Sequence, residues 1–177
     1  MKKALAIITL IITFFIIYFL QSNFFTWFNI NGIMPNLFVI FILFIGLFIG
    51  KKVGSILGIV FGLFLDIVLG NSGFITAIIL GIIGLIAEYL EKNFSKDSRI
   101  TLILIIASGT AFYEIIFYTF KILTTSASLE ILNFIKILSI EIVFNILITI
   151  IVHPVIQKVG NKLESLFKNK NIMLKYF

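Results

Sequence analysis

Cysteine is absent from the 177 residues, so disulfides, thiolate nucleophiles and Cys-ligated metals are excluded. The single histidine, His153, leaves no metal cluster of the usual kind, and no cofactor is expected. Charge is scarce at 12%, against 60% hydrophobic residues and a mean hydropathy of +1.19. Soluble domains carry about 25% charged and about 45–50% apolar residues. A soluble fold of this size would leave a large apolar surface exposed to water. Long apolar runs are what the chain has in abundance. They make lipid its solvent and an all-α integral membrane protein its fold class.

A helix crossing ~30 Å of hydrocarbon needs about 20 mostly apolar residues, with about 17 as a lower limit. Six runs qualify: Ala4–Leu20, Ile33–Ile49, Val53–Leu69, Phe74–Leu90, Ile100–Leu123 and Ile135–Ile156. They predict a bundle of six transmembrane helices in a single domain, with a basic tail over 157–177. Gly70-Asn71-Ser72-Gly73 predicts a tight turn between the third and fourth. The first run is longer than a secretory signal core and no small-x-small site follows Leu20, so it is expected to remain as a span.

Lysine and arginine set the orientation. Lys2, Lys3, Lys51, Lys52, Lys92, Lys96, Arg99, Lys158, Lys162, Lys168, Lys170 and Lys175 fall on one side of a six-span chain. Only Lys121 and Lys136 fall on the other. The bias places both termini in the cytoplasm of a bacterial inner membrane. It also accounts for the net charge of +6 without nucleic acid. Trp27, Phe24, Phe25 and Phe28 suit the outer interface, and the lysine-rich tail suits anionic headgroups or a partner.

Glycines recur at steps of four: Gly46, Gly50, Gly54, Gly58 and Gly62, then Gly73, Ala77 and Gly81. Small residues at this spacing allow close backbone approach, either inside the bundle or against another membrane protein. Intramembrane carboxylates are costly, about 2.5–3.5 kcal/mol each at the bilayer centre on insertion scales. Asp66, Glu114 and Glu141 all belong to the outer half. Asn145, Thr149 and His153 follow Glu141 at steps of four, and Thr110 and Tyr118 flank Glu114. This polar seam reads either as interhelical hydrogen bonding or as a proton or substrate path. Glu88 and Glu91 lie near the inner end, where solvent and Lys92 explain them. His153-Pro154 predicts a kink or helix end.

Pro35-Asn36 opens an apolar helix, Gly54 and Gly58 follow, and then come Gly62-Leu63-x-x-Asp66-x-x-x-Gly70 and Gly73. This combination resembles the rod shape-determining protein MreD family, with Asn36 where Asp is commoner. The resemblance implies a non-catalytic scaffold of the cell-wall elongation machinery that binds an MreC-like bitopic partner. Through it the scaffold would join a penicillin-binding transpeptidase, RodA and MreB. The resemblance also implies a fold similar to the substrate-binding subunits of energy-coupling-factor transporters. The alternative function is therefore a vitamin or small-molecule binding subunit of a transporter. A proton-coupled carrier using the three acids is a further alternative, but the internal repeats usual in carriers are not evident.

The charge bias makes a direct prediction. A single cysteine placed at Ser22 should react with an impermeant thiol reagent from outside, and one placed at Lys170 only from the cytoplasm. Outside labelling at position 170 would refute the even span count.

Overall fold

The computed structural model describes residues 2–70, 72–93, 98–125 and 128–167. The side chains of Glu88, Glu91 and Lys92, and the residues Asn71, Lys96, Lys168, Lys170 and Lys175, lie outside what is described. Six helices carry the fold: α1 (Lys2–Phe19), α2 (Leu37–Ile49), α3 (Lys51–Leu69), α4 (Ile75–Asn93), α5 (Arg99–Thr125) and α6 (Ile131–Phe167). A π-helical turn, Leu20–Phe24, and a last helical turn, Phe25–Trp27, extend α1.

Among the described residues, four segments are long and apolar enough to cross a membrane: Lys2–Trp27, Lys51–Leu69, Arg99–Thr125 and Ile131–Phe167. The other two apolar helices are shorter, Leu37–Ile49 and Ile75–Ala87. The second run, expected to span the membrane over 33–49, is a helix over Leu37–Ile49 and falls short of that length. Pro35 and Asn36 precede the helix, and the Asn36 side chain caps it by accepting from the Val39 N–H at 3.3 Å. Thirteen residues at a rise of about 1.5 Å make α2 only about 20 Å long.

α2 is hydrophobic on all sides, the pattern of a helix enclosed by protein. Every one of its residues except Phe41 is buried. The other helices each offer it, or each other, one stripe. On α1 the stripe is Ala6, Leu10 and Phe14, at steps of four. Phe14 stacks on Phe61 of α3 at 4.1 Å between ring centres and also meets Phe38 and Phe64. Gly109 of α5 and Gly160 of α6 face Leu43 and the Phe48 ring of α2.

α3 and α4 make the closest pair. A Cβ at Gly58 would run into the Leu80 carbonyl, one at Gly62 into the Ala77 backbone, and one at Gly84 into the Gly54 backbone. At Gly81 the neighbour is the Ile59 side chain. Gly46 of α2 sits against Gly84 and Ala87. The four-residue glycine spacing therefore lies along contacts within this chain.

The connections are short. Gly50 alone joins α2 to α3, with φ of 116°, a conformation that L side chains rarely adopt. Lys51 and Lys52, placed in a loop by the sequence reading, form the first turn of α3. Gly70 ends α3 in the left-handed region and its N–H donates to the Asp66 carbonyl. At the far end, α6 continues through Pro154 to Phe167, so the helix does not end at the proline but runs on into the tail. The proline removes one backbone donor. Gly160, Leu163 and Phe167 hold the following turns against the core. Lys3 lies 5.9 Å from the Phe167 ring, so the N-terminus of α1 and the C-terminus of α6 share one end of the bundle.

Backbone atoms cannot yield as a flexible side chain can. Gly58→Leu and Gly62→Leu should each destabilise the bundle at or beyond the top of the about 1–3 kcal/mol range for overpacking. The measurement is the yield and thermal unfolding of protein extracted from membranes. Wild-type yield and unfolding temperature for both would overturn this account of the seam.

Candidate functional site

The first turn of α2 opens inside the protein, and its orphan donors need partners. Gln21, just past α1, accepts from the Leu37 N–H at 3.2 Å and donates to the Pro35 carbonyl at 2.6 Å. Asn145 of α6 accepts from the Asn36 N–H at 2.8 Å, and its amide donates to Thr110 of α5 at 2.8 Å. Asn145 and Thr110 are fully buried. The Pro35-Asn36 opening is thus a knot in which α1, α2, α5 and α6 meet through polar groups.

Asp66 does a separate job. Its two carboxylate oxygens accept from the backbone N–H groups of Thr76 (3.2 Å) and Ala77 (3.0 Å), at the start of α4. A carboxylate on those donors satisfies groups that the helix itself leaves orphaned, and it faces the positive end of the helix dipole. Asp66 caps α4 across the short turn from α3. Gly70 and Gly73, both with positive φ, fold the chain back to allow this, and Gly73 also sits against the Phe120 ring. The sequence reading grouped Asp66 with the other two acids, whereas its carboxylate is engaged at the α3–α4 turn.

Glu114 and Glu141 meet each other. Their carboxyl groups adjoin, and Glu141 also approaches the Asn36 side chain. Tyr113, beside Glu114, reaches the Thr76 and Asn36 side chains. Glu141 is 6% exposed, and its Oε1 is buried without a hydrogen-bond partner. The group lies at the floor of a cavity of about 740 Å³, lined by Gln21, Asn36, Thr76, Tyr113 and Glu141 and by Glu130, Asn133 and Lys136.

The helical stripe Glu141, Asn145 and Thr149 is buried as its spacing predicts. Towards the other end of α6, the Thr149 hydroxyl and His153 Nε2 are buried without hydrogen-bond partners. Tyr118 lies apart from the acids. Its hydroxyl accepts from the Glu130 N–H at 3.0 Å, and its ring stacks on Phe134 at 4.3 Å. Gln21, Thr76 and Tyr113 were not singled out by the sequence reading. Gln21 stands in an aromatic connection, and Thr76 and Tyr113 are single polar residues in apolar runs. Among the described residues no three His, Cys, Asp or Glu side chains form a group able to hold a metal ion.

Asparagine at position 66 keeps one acceptor for the two N–H groups, and leucine keeps none. Asp66→Asn should therefore cost about 1 kcal/mol and Asp66→Leu about 2–3 kcal/mol of stability. Asn145→Leu, which removes both bonds of the knot, should cost about 1–2 kcal/mol. Thermal unfolding of the purified protein in one detergent ranks the three. Equal losses for Asn and Leu at 66 would instead mean that the position needs a charge.

The family model of the rod shape-determining protein MreD matches residues 1–163, and the chain belongs to that family. No curated protein and no solved structure matches. The expected likeness to energy-coupling-factor substrate-binding subunits is therefore without support.

Proposed function

We propose, from membership of the MreD family, that this role in rod-shape determination is exercised as a non-catalytic scaffold of the bacterial cell-wall elongation complex. It binds an MreC-like bitopic protein within the membrane, and through it reaches the penicillin-binding transpeptidase, RodA and MreB. The observation that carries the reading is the family match over residues 1–163. The arrangement of the polar residues supports it. Gln21, Asn36, Asp66, Thr110 and Asn145 hold helices to one another, which suits a rigid platform.

In this reading all six helices lie in the cytoplasmic membrane, with both termini in the cytoplasm. Lys2, Lys3, Lys51, Lys52 and Arg99 lie in the first turns of helices and Lys158 and Lys162 in the last three turns of α6, which suits cytoplasmic charge at one end of an alternating bundle. The glycines Gly54, Gly58 and Gly62 serve as an internal joint, so a partner helix meets other, outward faces. One observation favours the second reading, a small-molecule binding subunit. It is the polar cavity above Glu141.

The test is isolation of the tagged protein from membranes of its own host. An MreC-like protein should co-purify, and depletion should turn rods into spheres. Rods that persist after depletion, with no such protein retained, would sink the scaffold reading.

A further inference from the structure

The cavity at the lysine-poor end is more than a gap between helices. Its volume, about 740 Å³, lies within the about 300–1,000 Å³ usual for small-molecule sites. Its lining pairs apolar walls, Phe38, Leu65 and Ile137, with a polar floor. Glu141 is 94% buried, lines the cavity, and keeps one carboxyl oxygen without a partner. Buried polar atoms are almost always paired, so each exception asks for an explanation.

The charges that face this space decide its preference. Glu130 precedes α6, which contributes Lys136 and Glu141, and α5 contributes Tyr113, with Glu114 behind Glu141. The sides built by α1, α2, α3 and α4 contribute neutral groups, among them Gln21, Asn36 and Thr76. Two acids, Glu130 and Glu141, stand in the lining against one base, Lys136. We propose that the cavity is a binding site for a small amphipathic primary amine, its ammonium group on the Glu141 carboxyl and its carbon chain along Phe38, Leu65 and Ile137. An ammonium has three donors and no acceptor, which matches an unpaired carboxyl oxygen beside a second carboxyl. The site is independent of the scaffold reading, because it needs no partner protein.

Dansylcadaverine, a fluorescent primary amine, is a suitable probe, and its N-acetylated form keeps the shape without the charge. The full-length protein in nanodiscs should bind the amine saturably, with cadaverine competing, and bind the acetylated form at least tenfold more weakly. Glu141→Gln should weaken binding of the amine at least tenfold. Should that variant fail to fold, Ile137→Trp decides, since it fills the cavity from a half-exposed position and leaves the carboxyl pair untouched. It too should weaken binding at least tenfold. Equal binding of both probe forms would overturn the proposal, as would wild-type affinity in Ile137→Trp or an absence of saturable binding.

Discussion

Backbone donors buried away from bulk water must find acceptors inside the protein, and this need is most acute at the start of α2. Its opening turn lies inside the protein, where side chains of other elements must meet the free donors. Gln21 supplies one acceptor, the Asn36 side chain a second, and Asn145 holds the Asn36 N–H. Those same side chains fix where α1 and α6 stand. Because α2 is enclosed by the rest, the arrangement of α1, α5 and α6 depends on how this one helix begins. Removing Asn145 therefore strips bonds from α2 and α5 at once.

The Asp66 cap repeats the device at the next turn of the chain. An N-cap side chain ordinarily comes from the residue just before the helix. The carboxylate instead comes from the preceding helix, one turn before its end, and Gly70 lets the chain reverse tightly enough to bring Thr76 and Ala77 under it. That geometry gives a physical reason for an Asp followed by two flexible glycines.

Much of this was legible in the sequence. Apolar runs reported six helices because lipid imposes that composition. The buried stripe of Glu141, Asn145 and Thr149 followed from a spacing of four. Other features were hidden for identifiable reasons. Counting apolar residues let Ile33 and Met34 pass as helix, although Pro35 and Asn36 mark a start. Pro154 suggested an ending, but local propensity yields where Gly160 and Phe167 pack beyond it. The pairing of Glu114 with Glu141, and the engagement of Gln21 with α2, depend on how helices rotate against one another. No periodicity within a single helix carries that information.

The glycine contacts between α3 and α4 also bear on temperature. In water, apolar burial is weakened by cooling because it draws on solvent entropy and a large heat capacity. Helices that meet inside lipid exchange one apolar neighbour for another, so what holds Gly58 against Leu80 and Gly62 against Ala77 is chiefly dispersion between closely fitted atoms. Separating them within a bilayer uncovers little surface to water. The free energy of that separation should therefore run nearly straight with temperature, without the dome that marks soluble domains.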